Sequence, residues 1–203
     1  VTKAADYRIL PPGPKRLAAE NIPCQHRMMI TVLHERYGPP EVLRLGQRPD
    51  PQPGPQEVRV AVHASSVTSG DARIRRADPF LVRLFFGLFR PRKTVPGYEF
   101  SGVVDVVGEK VTRYRPGDRV FGATGYGFGA LAEFLVIPEH GTSAPLPADW
   151  SFDQAAAIPF GATTAKYFLE DKGHLRSSDR VLIHGASGAV GTAAVQIARL
   201  HGA

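Results

Sequence analysis

Cysteine is nearly absent from the 203-residue chain, which has only Cys24. A disulfide framework needs paired thiols and a cysteine-built zinc site needs several at short spacing, so the chain can form neither by itself. Long apolar runs are missing too. No stretch of about 18 uncharged apolar residues occurs, which argues against a membrane-spanning helix. The start, VTKAADYRIL, lacks an apolar core behind a basic end, so no signal peptide is read and a cytoplasmic location is expected. The seven histidines (His26, His34, His63, His140, His174, His184 and His201) include no HExxH or other close ligand pair. No metal site is expected. The excess positive charge is diffuse. Half of the formal +6 lies in residues 1–27, and no long basic stripe or aromatic-interleaved module follows, so nucleic acid is not an expected partner.

What is present is glycine, proline and short apolar segments. Residues 1–27, with PPGP and no periodicity, read as a disordered or non-native leader ahead of Met28 and Met29, one of which is the expected native start. From Ile30 to about Pro138 the chain is cut into ITVLHE, EVLRLG, EVRVAVHAS, SGVVDVVG, DRVFG and ALAEFLVIP by turn-forming GPP, PQPGPQ and RPGDR. Val58, Val60 and Val62 alternate with Arg59, Ala61 and His63, which predicts a half-buried strand. Several such strands with few helices predict a mostly antiparallel β domain over residues 28–150, interrupted by a helix at about Ser69 to Arg76.

The texture changes after Pro147. Ser151 and Gln154 stand at capping-box spacing, Pro159 should break or kink that helix, and a second helix is expected from Thr163 to Lys172. Val181 to Gly185 then reads as a buried strand and Val190 to His201 as a helix, with Gly185, Gly188 and Gly191 between them at GxxGxxG spacing. In dinucleotide-binding turns such glycines allow a sharp turn, close approach to the pyrophosphate and tight helix packing, while the helix N-terminus faces the phosphates. Gly185, Ala186, Ser187, Gly188, Ala189, Val190 and Gly191 are therefore the candidate phosphate contacts. Glycine-rich turns also occur as plain turns, but here the strand before and the apolar stripe Val190, Ala193, Ala194, Ile197 after support the nucleotide reading.

YGPPEVLRL, EVRVAVHASSVTSGDARIR, PGYEFSGVVDVVG, RPGDRVFG, GALAEFLVIP, AAAIPFGATTA and VLIHGASGAVG occur in an order that resembles the N-terminal part of the medium-chain dehydrogenase/reductase superfamily. The nearest branch is the zinc-independent, quinone-oxidoreductase-like one, commonly labelled NADPH:quinone reductase or NAD(P)-dependent alcohol dehydrogenase. The resemblance implies a mixed β and α/β class: a GroES-like β domain, then an incomplete Rossmann doubly wound domain over residues 151–203. It implies hydride transfer between a nicotinamide and a quinone, enone or related carbonyl compound.

In the zinc-dependent branch a cysteine matches Thr68 and a histidine matches Tyr98, so the resemblance implies no zinc here. Thr68 and Tyr98 are the catalytic candidates, as hydroxyl donors to the substrate oxygen, or else are packing residues with satisfied hydroxyls. Asp71 and Glu99 match outer-shell acids of the zinc enzymes and are expected as structural hydrogen-bond partners. Thr164 matches a threonine that contacts the nicotinamide. NADP is the implied cofactor with NAD open, because the discriminating residue lies about 20 residues beyond the glycine turn. Tyr126, in FGATGYGFGALAEF, is a weaker proton-donor candidate. Pro79 to Lys93, apolar with basic ends, is expected as core, a cleft cover favouring a hydrophobic substrate, or the contact of a homo-oligomer. A membrane-surface segment is the alternative. A rival reading of the whole is a truncated, catalytically inactive GroES-like binding module, because one strand and one helix leave Val181, Leu182 and Ile183 without covering neighbours.

Overall fold

A computed structural model describes residues 27–203; the expected leader and Cys24 lie outside the described residues, apart from Arg27. Strands β1 (Met28–His34) and β2 (Leu43–Pro49) form an antiparallel pair, with Met28 opposite Pro49 and His34 opposite Leu43. A second sheet contains β3 (Glu57–Ala64), β4 (Glu99–Val107), β5 (Arg119–Ala123), β6 (Phe134–Pro138) and β7 (Ser143–Pro145) in the order β6-β3-β4-β5-β7. Every pairing in it is antiparallel. The first sheet joins the second at Thr31, whose hydroxyl and neighbouring Val32 N–H both donate to Leu131 O.

The valine alternation places the core as expected. Val58, Val60, Phe100, Val104, Val120, Leu135 and Ile137 pack together on one face. Arg59 departs from the expectation: it is buried as well. Its guanidinium bonds Asp105 Oδ2 through Nε at 3.0 Å and Nη2 at 2.6 Å, and lies over the Phe134 ring at 5.1 Å. A charge is tolerated there because it is paired, bonded and stacked. Gly102 is needed where β4 lies against β3, since a Cβ would stand 2.1 Å from Ala61 O. Strand β7 has too few residues to show a period and was not anticipated.

Among the helices, α1 (Ser69–Arg76) matches its predicted span. A short α2 (Val82–Phe86) lies within the apolar Pro79–Lys93 segment. Helix α3 (Phe152–Ala156) has the full Ser151–Gln154 capping box, and Ser101 Oγ donates to Phe152 O at 2.6 Å, fastening it to the sheet. Pro159 ends one helix and begins the next: α4 (Pro159–Lys166) starts four residues earlier than expected, with proline in the first turn where its missing N–H costs nothing. A π-helical stretch, Tyr167–Lys172, continues it. Helix α5 (Ala189–Leu200) packs on α4 through Gly161, whose added Cβ would meet Ala189 O at 2.7 Å.

Three expectations need correction. Val181 to Gly185 is not a strand. It runs without sheet partners among the described residues, and Leu182 is 96% exposed. A parallel strand exists only by pairing, and an apolar sequence alone does not supply the ladder. The stripe of α5 holds only in part: Ala194 is buried as expected, Val190, Ala193 and Ile197 are half-buried, and Gly191 and Ala198 are buried instead where the helix faces α4. Nor is Pro79–Lys93 core, as Phe80, Leu81, Leu84, Phe85, Leu88 and Phe89 are all exposed.

Candidate functional site

Thr68 caps α1. Its Oγ1 donates to Asp71 Oδ2 at 2.7 Å and accepts from Asp71 N at 3.2 Å, while its backbone N–H donates to the same carboxylate oxygen at 2.8 Å. The hydroxyl proton is thus engaged in a capping box. Asp71 Oδ1 accepts from Gly97 N at 3.3 Å, so one buried carboxylate holds Thr68 and the residue preceding Tyr98. Glu99 acts likewise on the other side. It accepts from Phe160 N at 2.7 Å through Oε1 and from Ser66 Oγ through Oε2, tying β4 to the first turn of α4. A carboxylate at a helix N-terminus also complements the helix dipole.

Tyr98 is half-buried, and its ring meets Phe160 edge-on with centroids 5.8 Å apart. Its hydroxyl has no hydrogen-bond partner among the described residues. Burial raises its pKa above the ordinary phenol value, with the nearby Glu99 charge and Tyr126 acting in the same direction. The phenol is therefore neutral and able to donate near neutral pH. Thr164 lies one helical turn beyond Phe160 on α4, at i+4, so the ring against which Tyr98 packs shares a face with Thr164. Tyr126 is 85% exposed in the loop beside Tyr98, whose carbonyl accepts from Thr124 N at 2.8 Å.

At the glycine turn, Gly185 has φ +76°, in the left-handed region that glycine adopts freely. A Cβ on Gly191 would lie 2.2 Å from Gly185 O, so the turn closes only around glycine. Gly188 precedes α5 with no side chain among the described residues capping it, leaving the first-turn N–H groups to an outside acceptor. Gly185, Ala186, Ser187, Gly188 and Ala189 are exposed, Val190 is half-buried and Gly191 is buried. This donor set and spacing fit a pyrophosphate.

His34 carries no special sequence signal, yet it is 3% exposed at the end of β1 and neither ring nitrogen has a hydrogen-bond partner among the described residues. It faces a cavity of about 20 Å³ lined also by Asp71, Ile74, Phe86, Pro96 and Phe128. That space admits about one water, with His34 and Asp71 as polar partners. Burial, with the Arg75 charge second, lowers the His34 pKa; the Thr94 carbonyl and Asp71 oppose the shift. His63, stacked on Phe152 with centroids 4.3 Å apart, is lowered by burial and then Arg119. A histidine with depressed folded pKa is protonated first in the unfolded chain. Stability should be level above about pH 6.5 and fall as pH drops below it, by at most about 1.4 kcal/mol per pH unit for each histidine. Urea midpoints measured across that range, for the protein and for His34→Phe, should show a shallower acid slope in the variant.

The alcohol dehydrogenase GroES-like domain family matches residues 54–148. The spectinabilin polyketide synthase system protein NorB of Streptomyces orinoci is 42% identical over 149 residues, covering 73% of this chain and 6% of that protein. Quinone oxidoreductase of Mus musculus is 34% identical over 180 residues, covering 87% of this chain and 51% of the other. Among solved structures, CurK enoyl reductase aligns with a TM-score of 0.77 at 29% identity, covering 86% of this chain and 52% of its own. The chain belongs to the medium-chain dehydrogenase/reductase superfamily. Within that superfamily it falls in the quinone-oxidoreductase-like branch, as an N-terminal part. The chain spans about half the length of the mouse quinone oxidoreductase it matches. Among the described residues no group of three or more His, Cys, Asp or Glu side chains could hold a metal ion, and no helix is long and apolar enough to cross a membrane.

Proposed function

We propose that this chain forms the substrate-facing and pyrophosphate-binding part of a zinc-independent, NAD(P)H-dependent oxidoreductase acting on a quinone, enone or related carbonyl compound. Residues 28–150 are its GroES-like β domain and residues 151–203 begin its Rossmann domain. The observation that carries the reading is Tyr98: a neutral phenol with a free hydroxyl, joined by Phe160 to the helix bearing Thr164. The nicotinamide, when bound, supplies the hydride. The Gly185–Gly191 turn would hold its pyrophosphate on backbone N–H groups, and Thr164 would orient its amide. Tyr98 would donate a hydrogen bond to the substrate oxygen as negative charge develops there, the role the metal has in zinc enzymes. Thr68, whose hydroxyl donates its hydrogen bond to Asp71, would accept rather than donate while it remains in the capping box. Phe160 would shield the reacting atoms from water. NADPH is the proposed donor, and a cytoplasmic setting accords with it.

The test is Tyr98→Phe, assayed with NADPH and NADH against panels of quinones and enones. The rate constant kcat should fall about 10²–10³-fold, the effect of losing one preorganised donor, with the cofactor KM little changed. An unaltered kcat would refute the role of Tyr98.

A second reading, a GroES-like binding module without catalysis, rests on one observation: Val181 to His184 pairs with no strand among the described residues, and Leu182 is 96% exposed. Titration of this 203-residue chain with NADPH tests this second reading. The module reading expects no saturation at micromolar cofactor, and saturation there would remove it.

A further inference from the structure

The segment Pro79–Lys93 combines two properties that neither its fold nor the proposed reaction uses. Its backbone is well tied: Gly87 N donates to Arg83 O at 2.9 Å, Arg92 N donates to Phe86 O at 2.8 Å, and Tyr37 Oη donates to Gly87 O at 2.7 Å. Gly87 is buried at φ +124°, where a Cβ would stand 2.1 Å from Arg90 O. Arg83 lies between the rings of Tyr37 and Phe80, at 4.9 and 5.3 Å from their centroids. An apolar segment ordered in this way would be expected to turn its side chains inward. Here they point out: Phe85 is 76% and Phe89 88% exposed, and Phe80, Leu81, Leu84 and Leu88 accompany them. So many contiguous large apolar side chains on a surface indicate a partner.

The charge pattern says which kind. From Pro79 to Lys93 there are four cations, Arg83, Arg90, Arg92 and Lys93, and no acid. Next to the apolar face, Arg90 and Arg92 join Arg48 and Thr94 around an open hollow whose one acid, Glu35, is already bonded to Arg44 at 2.6 Å and Arg48 at 3.3 Å. Aromatic and leucine side chains bordered by guanidinium groups suit the boundary between acyl chains and anionic headgroups, with the apolar groups inserted and the cations at the phosphates. A protein partner would need a matching acidic rim and a shaped apolar hollow, whereas a bilayer meets both needs with no specific shape. We infer that this segment docks the protein on an anionic phospholipid surface, Phe80–Phe89 entering the interface and Arg90 and Arg92 holding the headgroup phosphates. The inference does not depend on the proposed reaction.

Co-sedimentation with phosphatidylcholine vesicles, with and without phosphatidylserine, tests it. The protein should pellet with the anionic vesicles and bind neutral ones at least about tenfold more weakly, with affinity falling as salt is raised. Phe85→Ser/Phe89→Ser should lose binding by about tenfold or more. Arg90→Gln/Arg92→Gln, which leaves the apolar side chains in place, should weaken it comparably on anionic vesicles alone. Both pairs of positions are exposed, and unchanged thermal melting of each variant confirms that folding is intact. Equal binding to neutral vesicles, full binding by the phenylalanine variant, or no vesicle binding at all would overturn the inference. So would a shift in melting with inorganic phosphate in the absence of any vesicle binding, which would make the arginines a soluble anion site, or concentration-dependent self-association abolished by Phe85→Ser/Phe89→Ser, which would give the face to a second copy.

Discussion

Phe100→Ala is expected to destabilise the protein by about 3–5 kcal/mol, a large part of the whole stability of a domain of this size. Phe100 on β4 is completely buried among Val58, Val60, Val104, Val120, Leu135 and Ile137. Truncating it removes the transfer energy of a ring and leaves a cavity that these β-branched and leucine neighbours, fixed by hydrogen-bonded strands, cannot collapse to fill. Phe100→Leu should retain most of the volume and cost about 1–2 kcal/mol. Phe89→Ala is the control: a side chain 88% exposed should change stability by about 0.5 kcal/mol or less. Urea unfolding followed by tryptophan fluorescence and circular dichroism measures all three. A loss below about 1 kcal/mol for Phe100→Ala would show that the β3–β4 core is not packed as described.

Glu99→Ala is the second large effect, expected at about 2–4 kcal/mol. The carboxylate is 3% exposed and receives Phe160 N and Ser66 Oγ, so alanine leaves both donors unmet and detaches α4 from β4. Glu99→Gln keeps an oxygen for Phe160 N, and Ser66 can turn to accept from the new amide; its cost should stay within about 1 kcal/mol. The functional consequence separates the variants further. Because Tyr98 packs on Phe160, Glu99→Ala should also displace the phenol from its place beside α4, whereas Glu99→Gln should not. Comparison of their unfolding midpoints, and of the Phe160 ring signals by NMR, decides this. Equal losses would show that Glu99 matters as a charge rather than as an acceptor.

Much of the fold was legible because it depends on local pattern. The alternation in EVRVAVHA, the helix at Ser69–Arg76 and the Ser151–Gln154 capping box each follow from residues within a few positions of one another. Asp71 and Glu99 were found through the family resemblance, and their expected structural role agrees with the bonds they make. The burial of Arg59 is not legible in the alternation because it depends on Asp105 and Phe134, many residues away. His34 gave no signal for the same reason: its cavity is assembled from β1, α1, α2 and two loops. The apolar run Pro79–Lys93 looked like core because hydrophobicity reports composition, whereas exposure depends on what lies opposite.

The sequence by itself determined the valine core, the glycine turn and the helix caps, since periodicity and backbone freedom are properties of neighbouring residues. Tertiary structure decided that Asp71 also holds Gly97 N, that Tyr98 leans on Phe160 with no hydroxyl partner among the described residues, and that Val181 to His184 makes no strand. Those outcomes rest on contacts between distant segments, and a ladder, a ring stack or a shared carboxylate has no existence until both partners are in place.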